Sequence, residues 1–227
     1  MIKKVLIILL FVLLGLSLYS VVKYNTFGED KTVVARHYID YGMKETGSQN
    51  IVTAVVVLYR GFDTLGEVTV LFLAATALGA LLHGLRFKSK EKEPSSLIVS
   101  TAARYIFPLI ILFGTYVFVH GHLTPGGGFP GGVIIASAFL LLFLAYTQKE
   151  VSEKTLSLTE GTAGILYVIT GLLGLVMLNS FLANFLPKGI PGKLLSAGII
   201  PLIYILIGFK VGAEMTGVLR NLKEEEK

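Results

Sequence analysis

Apolar residues along this chain do not alternate with polar ones; they run together in six long blocks. These are Val5–Val22, Leu65–Leu85, Leu97–Val119, Val133–Tyr146 (lengthened by Gly131 and Gly132), Thr162–Leu186 and Leu195–Val218. Most come near the roughly 20 residues with which a helix crosses about 30 Å of hydrocarbon. Backbone at that depth must satisfy its own hydrogen bonds, which a helix does. The pattern predicts an all-α, polytopic integral membrane protein with about six transmembrane helices.

The polar interruptions divide this series. "RFKSKEKEPSSL", Arg86 to Leu97, is the most polar connector, with alternating charge and Pro94 near its end. It is the natural seam between a first part, residues 1–93 with two membrane helices, and a second part, residues 94–227 with four. Between the first two blocks, Val33 to Tyr41 can form a short surface helix. Ile51–Tyr59, "IVTAVVVLY", is too short to cross and is cut off by Arg60, Gly61, Phe62 and Asp63. It reads either as a re-entrant piece packed on other protein or as the start of a broken helix from Ile51 to Leu85.

Composition strengthens the membrane reading: 53% of the 227 residues are hydrophobic, only 15% are charged, and the mean hydropathy is +0.73. Lys3 and Lys4 precede the first block as in a signal peptide, but no small-residue cleavage site follows in "LSLYSVVKYN", so a retained helix is expected. With the N-terminus inside, eleven Lys and Arg fall at inner ends and six at outer ends, which predicts that both termini are cytoplasmic in a cell-membrane protein. The net charge of +5 follows from that asymmetry and from anionic lipid, and requires no nucleic acid. The chain has no cysteine, which excludes disulfides, Cys-ligated zinc and iron–sulfur clusters carried by it. No nucleotide or haem motif is present, so no cofactor on this chain and no catalytic residue are expected.

Charged residues within apolar blocks each cost on the order of 2.5–3.5 kcal/mol and ask for a reason. Asp63 and Glu67, in "RGFDTLGEVTV", are four apart and share a helix face. Both suit the positive end of a helix, and Glu67, the deeper one, also suits a partly dry site that takes up a proton or meets a sodium ion. Lys210 and Glu214, in "GFKVGAEMTGV", have the same spacing and can pair across one turn, as structural glue or as a step in a charge relay. Lys210 can instead snorkel to the surface, as is expected of Arg104.

Between the third and fourth blocks lies "HGHLTPGGGFPGGV". His120 and His122 close one helix, and Pro125 with Gly126, Gly127 and Gly128 reverses the chain. Pro130 suits the start of the next helix. The glycines exceed what a turn needs, which points to backbone pressed close to an ion, a water-filled cleft or another subunit. Histidine titrates near neutral pH, so this mouth could exchange protons. Two residues apart, the imidazoles are poorly placed to ligate one metal.

"HGHLTPGGGFPGGVIIASAFLLLFLAY" closely resembles the signature of the MnhB/MrpB-type subunit of multisubunit cation/proton antiporters, over about Pro94 to Glu224. That family carries Gln where this chain has Pro130. "TGSQNIVTAVVVLYRGFDTLGEVTVLFLAA" is similar to the C-terminal part of the large MrpA-type subunit. The two parts resemble a fusion of an MrpA C-terminal-like module with an MnhB/MrpB-like one, and similar subunits occur in energy-converting hydrogenases and sulfur-reducing complexes. The resemblance implies that Arg60, Asp63, Glu67, Pro125, Phe129, Gly131 and Gly132 fall at motif positions. It also implies partners: other antiporter and membrane-arm subunits, the lipid bilayer and soluble redox subunits, with Na+ and H+ as cargo. Asp63, Glu67, His120, His122, Lys210 and Glu214 are the candidate ion-translocation residues. The alternative is an assembly subunit that conducts nothing itself.

Overall fold

The computed structural model describes residues 2–24, 32–82, 95–146 and 151–224. Of the expected seam, Arg86 to Leu97, residues 86–94 lie outside them. All described regular structure is helical: α1 (Ile2–Tyr24), α2 (Thr32–Thr46), α3 (Ile51–Ala54), α4 (Gly61–Leu82), α5 (Leu97–Val119), α6 (Gly128–Ala145), α7 (Glu153–Leu178) and α8 (Ile200–Glu224). α4 through α8 are long and apolar enough to cross a membrane, and α1 carries a further apolar stretch, Lys4–Tyr19.

The chain forms two units, Met1–His37 and Tyr38–Lys227. In the first, the large apolar side chains of α1 from Val5 to Tyr19 are exposed on every face. A helix apolar all round belongs in hydrocarbon or inside an assembly.

In the second unit α8 is the hub, packing against α4, α5, α6 and α7. The core is built on its Ile200, Ile203, Tyr204, Ile207 and Val211, with Val57, Val68, Tyr167 and Leu182 around them. Where α6 crosses α8, a Cβ at Gly132 would stand 2.9 Å from the Gly208 carbonyl oxygen and 2.9 Å from the Gly212 nitrogen. Only glycine lets these backbones approach so closely.

Several expected boundaries move for identifiable reasons. α6 begins at Gly128, not Val133, because the GFPGG run is already helical. Pro130 falls within the first turn, where its missing N–H has no partner to lose. α7 begins at Glu153 and ends at Leu178, well ahead of the apolar block Thr162–Leu186. Asn179 adopts φ 57 and stops the helix in the left-handed region, while Glu153 and Glu160 in the added turns find partners in Arg220 and Lys210 of α8. α8 starts at Ile200 rather than Leu195.

Ile51–Tyr59 is helical throughout. Asn50 caps it by accepting from the Thr53 amide (3.3 Å), and Val55–Tyr59 widens into a π-helical turn closed by Arg60 N–H to the Val55 carbonyl at 2.8 Å. The Thr64 hydroxyl, at 2.5 Å, satisfies the Val56 carbonyl. The segment is therefore a helix joined to α4 through a bend at Arg60, sharp enough for Thr64 to reach back to Val56. α5 keeps its expected bounds, Leu97–Val119, with the Ser96 side chain accepting from Val99 N–H at its start.

Candidate functional site

The chemistry expected of the sequence separates into three places. The first is the turn between α5 and α6. Its carbonyls are held by residues 48–53: the His122 carbonyl accepts from Gln49 N–H and Asn50 N–H (3.1 Å each) and from the Ser48 hydroxyl (2.9 Å). The Asn50 amide donates to the Gly121 and Thr124 carbonyls (2.9 and 3.0 Å), and the Thr53 hydroxyl donates to Gly121 at 2.7 Å. Tyr204 of α8 then donates to Thr53 at 2.9 Å.

The surplus glycines are explained by this packing. A Cβ at Gly127 would meet the Tyr204 ring at 3.0 Å on a backbone already at φ 146, and one at Gly128 would strike Ile207. What presses on the backbone is this chain's own α8 at Gly127 and Gly128, and its α5 at Gly126 and Gly131, where a Cβ would meet Val117 and Phe118.

The two histidines do different work. His120 ends α5, stacks on Tyr116 at 4.2 Å, and its Nδ1 stands 3.1 Å from the Tyr116 carbonyl. His122 is fully buried, and among the described residues neither ring nitrogen has a hydrogen-bond partner, although backbone of Lys193, Leu194 and Val119 lies near the ring. Burial holds its imidazole below the usual histidine range, with His120 adding a smaller push the same way. Burial thus favours its neutral form.

The second place is the start of α4. Asp63 pairs with Arg60, and both side chains are substantially exposed. Glu67 is also exposed and lies beside Val70, Leu71, Ala74 and Phe129 on an open apolar flank. The structure thus puts Glu67 on an outward face of this chain rather than in an enclosed dry site.

The third place is where α4, α7 and α8 meet. Lys210 Nζ lies 3.6 Å from Glu214 Oε2 and 3.6 Å from Glu160 Oε1, and 5.0 Å from the centre of the Phe72 ring. Its stem crosses α7 at Gly164, where a Cβ would stand 3.7 Å from Lys210 Cδ. The Glu214 carboxylate is buried, and among the described residues neither oxygen accepts a hydrogen bond. A cleft of about 240 Å³ reaches it, lined among others by Phe72, Thr76, Ser157, Glu160, Glu214 and Asn221. Arg220 pairs with Glu153 at 3.0 Å in the same cleft. Lys210 and Glu214 stand out in the sequence, whereas Glu160 does not, because it sits ahead of the apolar block. Its spacing of seven from Glu153, two turns along one helix face, was the available signal.

Among the described residues, no group of three or more His, Cys, Asp or Glu side chains is arranged to hold a metal ion.

Residues 98–217 match the domain related to the MnhB subunit of Na+/H+ antiporter. The chain belongs to this family. Residues 3–96 match MbhE, the E-type component of MBH, so it is an MnhB/MbhE-type subunit, related to Mrp-type antiporters and to membrane-bound hydrogenase and sulfur-reductase complexes. The similarity extends to whole folds. A chain in the structure of the membrane-bound sulfane sulfur reductase, an archaeal respiratory membrane complex, is 48% identical, with a TM-score of 0.79 over 98% of both chains. A chain of the Mrp complex from Dietzia sp. is 25% identical, with a TM-score of 0.71 over 97% of this chain and 26% of that one. The B-type component of the Na(+)/H(+) antiporter of Bacillus subtilis is 35% identical over 145 residues, 60% of this chain and 99% of that relative.

For such a subunit the three places differ in kind. The turn is a structural knot, the α4 start is a surface, and the Lys210 cluster is a set of buried charges open to a cleft.

Proposed function

We propose that this chain is a membrane-arm subunit of an Mrp-like antiporter or respiratory complex and carries part of that complex's ion path through Lys210 and Glu214. The observation that carries this reading is the Glu214 carboxylate, buried without a hydrogen bond inside a membrane-spanning helix and 3.6 Å from Lys210. A buried charge held only by a loose pair is expensive, and structural glue would close that distance. Protons and sodium are the cargo the family's names suggest, and redox chemistry belongs to soluble partners. The Lys and Arg bias favours cytoplasmic termini, and the seam over residues 86–97 favours two fused modules, 1–93 and 94–227. Antiport measured in vesicles containing the fully assembled complex tests the reading: Glu214→Gln should abolish exchange per complex. Parental exchange by that variant would defeat it.

A second reading, assembly without conduction, is favoured by Glu67. An exposed carboxylate on an apolar flank of α4 suits a cationic side chain of a neighbouring subunit. Under it, Glu67→Gln lowers recovery of the complex on native gels and leaves exchange per assembled complex unchanged.

A further inference from the structure

Three carboxylates descend from the surface into the α4/α7/α8 junction. The side chain of Glu153 is 79% exposed, that of Glu160 21% and that of Glu214 1%. Glu153 and Glu160 are two turns apart on α7, a rise of about 10 Å, and all three line one cleft. Arg220 holds the outermost and Lys210 stands between the inner two, at equal distance from each. Of the other elements at this junction, α4 contributes Phe72, Ala75 and Thr76, which carry no charge, and α6, which also packs on α8, has no charged residue.

With every group ionised, Lys210, Glu160 and Glu214 sum to one negative charge. Buried excess charge demands neutralisation, and the cleft admits whatever supplies it. A metal ion would need a shell of oxygens, whereas the described residues offer no such grouping. A proton needs only one carboxylate oxygen and a route through water.

We infer that this cleft is the water-filled access along which protons reach the Lys210 cluster, and that Glu160 is the carboxylate that takes them from it and exchanges them with Glu214. One proton bound by either carboxylate brings the cluster to neutrality, and the ammonium then pairs with the other. Release restores the net negative charge, and no other bond is made or broken. This rests on the proposed conduction through Lys210 and Glu214, and it adds the direction of entry, the cargo and Glu160.

The absence of cysteine makes the route testable in the assembled complex, because a single introduced thiol is the only one on this chain. Ser157→Cys and Thr76→Cys, both lining the cleft, should react with a membrane-impermeant, positively charged thiosulfonate added from one side of sealed vesicles. Ile165→Cys, on the apolar outer face of α7, should stay unmodified. Glu160→Gln should slow proton exchange at least about tenfold and shift its pH profile, with partial recovery in Glu160→Asp. Cleft thiols inert from both sides overturn the access route even if Glu214→Gln abolishes exchange, which leaves conduction itself standing. Parental exchange and pH profile in Glu160→Gln overturn the role of that residue, and parental exchange in Glu214→Gln overturns the conduction on which both rest.

Discussion

The phenol of Tyr204 donates a buried hydrogen bond of 2.9 Å to the hydroxyl of Thr53, joining positions 151 residues apart. Thr53 in turn donates to the Gly121 carbonyl, so one hydroxyl ties α8, α3 and the α5–α6 turn together. Tyr204→Phe should cost about 1 kcal/mol. Thr53→Val should cost more, about 1–3 kcal/mol, because it leaves the buried phenol without a partner and removes one of the two bonds to the Gly121 carbonyl, the other being from the Asn50 amide. Thermal unfolding of the purified complex in detergent measures both, and equal losses in the two variants would contradict this linkage.

Two glycines should respond in opposite senses to alanine. Gly132→Ala forces a methyl against the backbone of Gly208 and Gly212 and should destabilise by about 1–3 kcal/mol through overpacking. A Cβ at Gly161 of α7 meets nothing within 4 Å, so Gly161→Ala should be neutral or stabilise by about 0.5–1 kcal/mol through helix propensity. The same unfolding assay separates them, and a stable Gly132→Ala variant would show that α6 and α8 can part without loss.

His122 should make stability fall with acid. Its imidazole is held below the ordinary value of 6.5 by burial, so the unfolded chain binds the extra proton first. Sign and window follow by linkage: stability is whole above about pH 6.5 and drains away as pH falls below it towards the lower folded value. His122→Asn should flatten this slope below about pH 6.5, and an unaltered slope would place the sensitivity elsewhere.

Arg60 and Asp63 form an exposed pair three residues apart, a kind that contributes about 0–1 kcal/mol. A double-mutant cycle with Arg60→Ala and Asp63→Asn should therefore return a coupling below about 1 kcal/mol, weakening further with salt. A coupling of several kcal/mol would mean that the assembled complex takes this pair out of water.

Some of this is legible in the order of residues alone. α5 runs over Leu97–Val119 as the apolar block does, because polar residues bound it and Ser96 caps it. α7 is displaced from its block because hydropathy scores Glu153 and Glu160 as surface when both are held by cations of α8. The glycines around Phe129 are conspicuous in the sequence, which offers an ion, a cleft or another subunit as the cause. The cause is Tyr204 and Ile207, far downstream on α8, together with Val117 and Phe118 of α5.

The sequence alone determined that this is a helical membrane protein and which ionisable residues are anomalous in it. Those properties are local: each depends on the summed transfer energy of a contiguous stretch and on a backbone that must bond within itself. Tertiary structure alone decided that Glu160 meets Lys210 and Glu214, that the His122 carbonyl is held by residues 48–50 while its ring is buried, and that Glu67 faces outward. Those outcomes depend on how each helix is rotated about its axis and which neighbour it packs against, and hydropathy summed along a helix does not record either.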